Sequence, residues 1–166
     1  YHTLNCGFDT RISGETDFPC IYGDRVGLGR SYVKLNPKRK VSFDDWIHGI
    51  RDVRSYVGDG RAHLFNFEIN GVGVGERAKQ SRPSYQDIGK GQSLAITVNA
   101  SAMLEDTENS DIRSRPYAQK PYWHIARARK PGTNQVPVEL IVNGEVVETK
   151  YIEAVSYTQL TLPTKA

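Results

Sequence analysis

The spacing of apolar residues divides the chain into parts of different character. Before about Leu35, short apolar runs are separated by glycine and by titratable residues, which is typical of strand ends and active-site loops in an α/β domain. In residues 42–57 the apolar residues instead recur at the spacing of one helix face. The residues of that face are Trp46, Ile47, Ile50, Val53 and Val57. The pattern predicts a helix over residues 42–57 that packs through this face.

The start of this helix carries the residues that helix N-termini prefer. Ser42 is a natural N-cap, and Asp45 completes an arrangement similar to a capping box with a shorter acid. Asp44 and Asp45 also place negative charge in the first turn, where the helix dipole favours it. These features indicate a packing element, and none of them needs a catalytic role.

After the turn Gly58-Asp59-Gly60 the pattern changes to a period of two, which predicts strands. Residues 63–69 alternate imperfectly and end in Asn70-Gly71, a dipeptide typical of tight hairpin turns. Residues 93–100 place Leu, Ile and Val on one face and predict a second strand.

The clearest hairpin lies near the end of the chain, where residues 138–142 and 145–152 flank Asn143-Gly144. Residues 123–129 are expected to pack against a core, and residues 103–121, with many charges and two prolines, are expected to form a surface loop. Short strands separated by turns indicate a β-sandwich.

Composition excludes several classes of protein. Of the 166 residues, 38% are hydrophobic and 25% charged, and the net charge is +3, which is typical of a globular domain and not of a disordered tail. No apolar run approaches the roughly 20 residues that a membrane span needs. Lys and Arg are scattered among nearly as many acids, and Lys38-Arg39-Lys40 is interpreted as a solvated turn. We therefore expect neither a nucleic-acid partner nor a membrane partner.

The two ends of the chain suggest a fragment. Tyr1 is not an initiator Met, so the localisation is left undecided. Residues 155–164 resemble the translation of a transposase-type sequencing adapter, which puts the last natural residue near Ala154; the alternative is a natural β-strand. The sequence thus predicts three parts: residues 1–57, residues 58–154 and an artefactual tail over residues 155–166.

Candidate chemistry is concentrated near the N-terminus. In Ser13-Gly14-Glu15-Thr16-Asp17 an acid follows a glycine at the end of a short predicted strand, where Asp17 could offer hard oxygen donors to a divalent metal. The alternative is an ordinary turn.

The other candidate residues have no motif around them. His2 has no partner at ligand spacing. Arg11 and Arg30 could bind an anionic substrate oxygen or form surface ion pairs. For the two cysteines, Cys6 and Cys20, three interpretations are open: a disulfide, small buried thiols, or a position near a metal site.

These residues together resemble a known family. The stretch Tyr1-His2-Thr3-Leu4-Asn5-Cys6-Gly7-Phe8, followed by Arg11 and by Gly14-Glu15-Thr16-Asp17, is similar to the last catalytic-domain segment of CehA/McbA-type metallohydrolases. These enzymes belong to the PHP (polymerase and histidinol phosphatase) superfamily. The likeness continues through the helix with Trp46 to about Gly75, and residues 76–154 are a weaker match to the β-rich C-terminal domains of such enzymes.

The resemblance implies a fold and an activity. The expected fold class is an α+β fragment: the C-terminal edge of a PHP-type β/α barrel over residues 1–57, then a mostly antiparallel β-sandwich. The parent enzyme would use a divalent metal, zinc or manganese, to activate water for cleavage of an ester, amide or phosphoester bond in a small-molecule substrate. The fragment would be inactive alone and would pack against the missing part of the barrel.

Only one family ligand maps onto this chain. Asp17 matches the late Gly-Thr-Asp-type motif, which Glu15 lengthens here, and the resemblance makes Asp17 a metal ligand. His2 and Arg11 lie close to it in the sequence and are given supporting catalytic roles. The remaining ligands are expected upstream of Tyr1.

A non-catalytic alternative concerns residues 61–154. They could form a β-sandwich that binds carbohydrate or another protein, with Tyr117, Tyr122 and Trp123 as an aromatic platform for a sugar ring. The same aromatic residues could instead pack in the core and at its edge. A purely structural role, bracing the barrel or mediating assembly, is a third interpretation.

Overall fold

A computed structural model describes residues 2–17, 27, 29–76, 85–116, 119, 128–154 and 157–165 of the chain. The helices are α1 (His2–Asn5), α2 (Phe43–Arg51) and α3 (Ser110–Ser114). The strands are β1 (Arg30–Val33), β2 (Ser55–Gly58), β3 (Ala62–Ile69), β4 (Val72–Gly73), β5 (Ser93–Ala102), β6 (Gln135–Val142), β7 (Glu145–Glu153) and β8 (Tyr157–Lys165).

The fold is mixed α/β and consists mostly of antiparallel strands in small sheets. Strands β1 and β2 form a two-stranded ribbon, β4-β3-β5-β8 form a four-stranded sheet, and β6 and β7 form a hairpin. The β-rich character predicted for residues 58–154 is confirmed. Barrel strands are parallel, whereas β1 and β2 pair antiparallel. The described part of residues 1–57 therefore does not show the edge of a β/α barrel, and that expectation stays a prediction.

The hydrophobic core lies between the four-stranded sheet and the β6–β7 hairpin. Alternate residues of β5 are buried, as expected for a strand with one face on a core: they are Ile96, Val98, Ala100 and Ala102. Leu140 of β6 and Ile152 of β7 pack against this face. The hairpin thus covers one side of the sheet, and burial of its apolar face stabilises both layers.

Both predicted Asn-Gly turns are confirmed. Asn70 and Gly71 join β3 to β4 with φ of 51° and 72°, and Asn143 and Gly144 join β6 to β7 with φ of 53° and 89°. Two successive residues with positive φ are the signature of a type I′ turn, whose twist matches that of the flanking strands. A further positive φ, 51° at Asn66, coincides with a bulge in β3.

Helix α2 begins where the sequence predicts. The Ser42 hydroxyl oxygen accepts a hydrogen bond from the Asp45 backbone N–H at 3.1 Å, and the same hydroxyl donates to the Asp45 carboxylate at 2.9 Å. The first of these bonds is that of a capping box, whereas the Asp45 carboxylate accepts from the Ser42 hydroxyl and not from the Ser42 backbone N–H.

The predicted end of this helix is wrong. It was expected at Val57 but lies at Arg51, and residues Ser55–Gly58 form β2. Val53 takes a φ of 62°, its N–H donates to the Ile50 carbonyl, and the Arg54 N–H donates to the Gly49 carbonyl. These bonds make a Schellman cap, which usually has glycine at the position of Val53. Helical periodicity continued past this cap and concealed it.

The described part of the 103–121 excursion contains α3, whose N-cap Asn109 accepts from the Ile112 N–H at 3.0 Å. Most of the segment predicted to pack over residues 123–129 lies outside the described residues; Ala128 makes an isolated bridge with Glu105. None of the helices in the described ranges has the length and apolar character that crossing a membrane requires.

The terminal segment forms the strand β8, which pairs with β5 over its whole length. Leu160 is 9% exposed and belongs to the same buried cluster as Val98 and Ile152. The segment is thus integrated into the sheet, in agreement with the natural-strand alternative. Whether residues 155–166 have an adapter origin is a question of source, and that interpretation stays a prediction.

Candidate functional site

The segment that carries Asp17 is held against the start of β1 by close backbone contact. A Cβ added to Gly14 would lie 2.6 Å from the Arg30 carbonyl oxygen, and one added to Gly29 would overlap the backbone of Glu15. The Gly14 N–H also donates to the Ser31 hydroxyl at 2.8 Å. Glycine is therefore required at both positions, because the two segments of backbone approach each other too closely for a side chain.

Asp17 itself is exposed and has a φ of 57°, a left-handed conformation that aspartate tolerates better than most residues. Among the residues that the structure describes, no group of three or more His, Cys, Asp or Glu side chains could hold a metal ion. Asp17 can offer at most the oxygens of one carboxylate. The described residues alone do not form a zinc or manganese site, which needs several such donors.

His2 and Arg11 lie near Asp17 in sequence but have other surroundings. His2 is exposed on the single turn of α1. The Arg11 Nε donates to the Arg51 carbonyl at 2.9 Å, and its guanidinium is 3.4 Å from the Asp9 carboxylate. Arg11 thus ties the N-terminal segment to the end of α2. No hydrogen bond or ion pair in the described ranges joins His2, Arg11 and Asp17, and their catalytic and metal-binding roles stay predictions.

The other sequence candidates are placed as follows. The Arg30 Nε donates to the Gly27 carbonyl at 2.5 Å, which is a structural contact. Cys6 is an exposed free thiol, and Cys20 lies outside the described residues. The aromatic platform proposed for a sugar ring also lies outside them; its residues are Tyr117, Tyr122 and Trp123.

Among the described residues, a cavity of about 430 Å³ lies between the β1–β2 ribbon and the β3–β4 strands, and we call it the tyrosine cavity. The side chains that matter below are Tyr32, Lys34, Arg54, Tyr56, Phe65 and Phe67. On its opposite side the ribbon contacts α2, since a Cβ at Gly49 would overlap the side chain of Val33. The ribbon is therefore fixed from behind by the helix.

An aromatic cluster forms one wall of the tyrosine cavity. Tyr32 and Tyr56 are direct partners in the β1–β2 register, and their rings stack with centroids 4.8 Å apart and an interplanar angle of 11°. The ring of His63 lies edge-on to Tyr32 at 5.0 Å. Such offset and edge-to-face contacts favour a fixed arrangement of the rings.

The two phenols of this stack differ in their hydrogen bonds. Tyr56 Oη lies 2.9 Å from His63 Nδ1, and burial, together with the neighbouring Tyr32, raises the pKa of Tyr56 above its ordinary value. The Tyr56 phenol therefore has a hydrogen-bond partner within the folded chain. The Tyr32 hydroxyl is buried and has no hydrogen-bond partner in the described part of the chain.

A second unsatisfied polar atom belongs to the same cavity wall. The Arg54 Nε is buried and has no hydrogen-bond partner within the described ranges, while the Arg54 Nη2 lies 3.4 Å from the Asp52 carboxylate. A hydrogen bond from Arg51 is the main cause that lowers the pKa of Asp52, with Arg54 adding a smaller effect. Asp52 is thus held chiefly by Arg51, and Arg54 is only loosely paired.

A separate cavity of about 400 Å³ lies beside the Gly14–Glu15 backbone and is also lined by Asp59 and Leu64. Its acids are occupied locally. Glu15 accepts from the Ser13 hydroxyl at 2.7 Å, and Asp59 accepts from the backbone N–H groups of Arg61 and Ala62. These local contacts stabilise turns and do not form a catalytic arrangement.

Sequence reasoning missed the tyrosine cavity entirely. Tyr32 and Arg54 lie on opposite sides of α2 in the sequence, and the two were not linked because β1 and β2 were not predicted as a pair. The available signal was weak: a tyrosine in each of two short β-prone runs. Only the register of the ribbon brings these residues together.

Comparison with known proteins adds no family to this description. No family model matches the chain, and no curated protein and no solved structure matches it.

Proposed function

We propose that the chain is the C-terminal part of a metal-dependent hydrolase of the CehA/McbA type. In this proposal residues 1–57 pack against the catalytic barrel, and residues 58–154 form a β-sandwich that braces it. The proposal starts from the resemblance of residues 1–75 to that family. The observation that carries the proposal is the absence of a core in the described part of residues 2–57.

That part of the chain buries no apolar side chain of its own. Every buried hydrophobic residue among the described ranges lies at Val72 or beyond it. By contrast Phe8, Val41 and Phe43 are 65%, 74% and 71% exposed. A layer of this composition without a core gains stability by covering its apolar side chains against another body, and large exposed apolar surface marks such contacts. In this proposal the catalytic barrel of the same protein covers these exposed apolar side chains.

Asp17 would contribute one oxygen ligand to the metal centre of that barrel. The exposure of Asp17 supports this role, as does the close contact of Gly14 with the Arg30 backbone and of Gly29 with the Glu15 backbone, because a ligand must be accessible and held by a fixed backbone. A bound zinc or manganese ion would supply activated water for cleavage of an ester, amide or phosphoester bond in a small molecule. The 166-residue chain alone would be inactive, since one carboxylate does not hold such an ion.

Metal content tests the assignment of Asp17. In the full-length protein, Asp17→Asn should lower bound metal by at least tenfold, as expected when a ligand is removed. Asp44→Asn, an equal change on the exposed first turn of α2, is the matched control. Unchanged metal content in the Asp17 variant would contradict its role as a ligand, whatever the effect on activity.

Amide hydrogen exchange tests the proposed packing. In the 166-residue chain, amides of α2 should exchange much faster than those of β5, since the side of α2 that carries Phe43 and Ile47 is exposed. In the full-length protein the α2 amides should become protected. Equal protection of α2 in both forms would show that nothing covers Phe43 and its neighbours.

A further inference from the structure

The tyrosine cavity has the dimensions and the walls of a small-molecule site. Its volume of about 430 Å³ falls within the range of roughly 300–1,000 Å³ that such pockets span. Phe65 and Phe67 supply apolar wall on the side of β3, and the stacked rings of Tyr32 and Tyr56 supply a planar wall on the ribbon. A ligand that fits these walls is flat and largely apolar.

Two hydrogen-bond groups in this wall point to the chemistry of the ligand's polar end. Neither the buried Tyr32 hydroxyl nor the buried Arg54 Nε has a hydrogen-bond partner among the residues that the structure describes. Buried polar groups are nearly always paired, so each orphan requires an explanation. Nε–H is a donor only, and a phenol readily donates. Each of these atoms could therefore donate to an acceptor group on a ligand.

The register places these groups on the same face of the ribbon. Tyr32 is directly opposite Tyr56, and two pairs further along the Lys34 N–H donates to the Arg54 carbonyl at 2.9 Å. Residues that are opposite each other, or two apart on one strand, share a face. Tyr32, Lys34 and Arg54 therefore line one side of the cavity together.

The charge of this face is positive and incompletely neutralised. Lys34 Nζ is 4.0 Å from Glu76, whose other carboxylate oxygen accepts from the Gly73 N–H at 3.2 Å. The Arg54 Nη2 is 3.4 Å from the Asp52 carboxylate. Strong charge-assisted hydrogen bonds are shorter than this, at about 2.7–2.9 Å. Both cations thus retain donors that can bind an anion.

We infer that the tyrosine cavity is a binding site for a small aromatic carboxylate. The ring lies between the phenylalanines of β3 and the tyrosine pair, and the carboxylate accepts from Arg54 and from the Tyr32 hydroxyl, with Lys34 adding positive charge. This site is distinct from the metal centre proposed for Asp17 and does not depend on it.

Calorimetry on the intact 166-residue chain tests the inference with 4-methylbenzoate as the probe and without added metal. Saturable binding is expected, and 4-methylbenzamide, which has the same ring and no charge, should bind at least tenfold more weakly. Because the assay needs neither metal nor hydrolysis, its failure would leave the proposed hydrolase function untouched. Equal affinity for the two probes, or no saturable binding of the carboxylate, would overturn the inference.

Two variants locate the binding. Arg54→Gln and Tyr32→Phe should each weaken binding of the carboxylate by about tenfold, since each removes one charge-assisted hydrogen bond. Arg113→Gln and Tyr151→Phe, equal changes at exposed positions, are the matched controls and should leave the affinity unchanged. Full affinity in both cavity variants would overturn the inference.

A measurement on the unmodified chain keeps the test valid if a variant fails to fold. On titration with 4-methylbenzoate, the amide resonances of Ser55 and Gly73 in the cavity wall should shift with saturation. Those of Gly91 and Gly132, which lie in turns away from the cavity, should not. Shifts confined to residues outside the wall would place the probe elsewhere and overturn the assignment.

Discussion

Gly49 lies directly against the side chain of Val33, so that α2 and β1 meet with no room for a Cβ between them. This contact fixes the ribbon that carries Tyr32 and Tyr56. It also reverses an ordinary rule, because glycine inside a helix is normally a weakness.

The first prediction follows from this contact. Gly49→Ala should lower the free energy of unfolding by about 1 kcal/mol, because overpacking costs about 1–3 kcal/mol and outweighs a gain in helix propensity of about 1 kcal/mol. Urea unfolding measures the difference. His48→Ala, on the exposed side of the same turn, should change stability by less than about 0.5 kcal/mol. A stabilising Gly49→Ala would show that α2 is not seated on β1.

The second prediction concerns the end of α2. Val53→Gly should raise the free energy of unfolding by about 1 kcal/mol, because a β-branched residue is strained at a φ of 62° and glycine is not. Val57→Gly, the same substitution at a position outside the cap, is the control. Val57 lies in β2, where glycine weakens a strand, so this change should destabilise by about 1 kcal/mol. Losses of equal size in both variants would argue against the Schellman cap.

The third prediction tests the integration of β8. Leu160→Ala should cost about 2–4 kcal/mol, since it removes a buried side chain from the cluster around Val98 and leaves a cavity. Thr161→Ala, at the neighbouring exposed position, should cost far less. Thermal unfolding followed by circular dichroism would separate the two variants.

Deletion of residues 155–166 extends this test to the whole strand. Loss of β8 exposes one edge of β5 and part of its buried face, so the shortened chain should melt at a lower temperature and aggregate more readily. An unchanged melting temperature would mean that the strand contributes nothing to the fold, as expected of a foreign tail.

The fourth prediction is a pH dependence. Burial raises the pKa of Tyr56 in the folded chain, so the folded state holds this proton more tightly than the unfolded state does. The resulting stability is fully present below the unfolded value of about 10 and is lost as the pH rises through the folded pKa. Tyr56→Phe should reduce the loss of stability above pH 10, measured by urea unfolding at several pH values. Tyr151→Phe, at an exposed tyrosine, should not.

The parts of the fold that were predictable depend on local chemistry. The β6–β7 hairpin was found because Asn143-Gly144 matches the positive φ values that its turn needs, and the start of α2 was found because Ser42 caps it. In each case the residues that specify the structure are neighbours in the sequence.

The parts that were missed depend on pairing between distant residues. Strand β1 has only four residues and becomes a strand through its pairing with β2, on the far side of α2. The tyrosine cavity could not be predicted for the same reason, because its polar groups come together only when β1 pairs with β2. Val53 concealed the end of the helix, since its side chain continues the apolar pattern while its backbone ends it.

The position of β5 between β3 and β8 has a consequence for the rate of folding. The β6–β7 hairpin lies within the stretch of chain that joins β5 to β8, and a hairpin closed by a local turn forms in microseconds. Its early formation shortens the flexible loop that must close before β8 can pair with β5. Docking of β8 involves the most distant partner in the sheet, so this step should set the refolding rate of the whole chain.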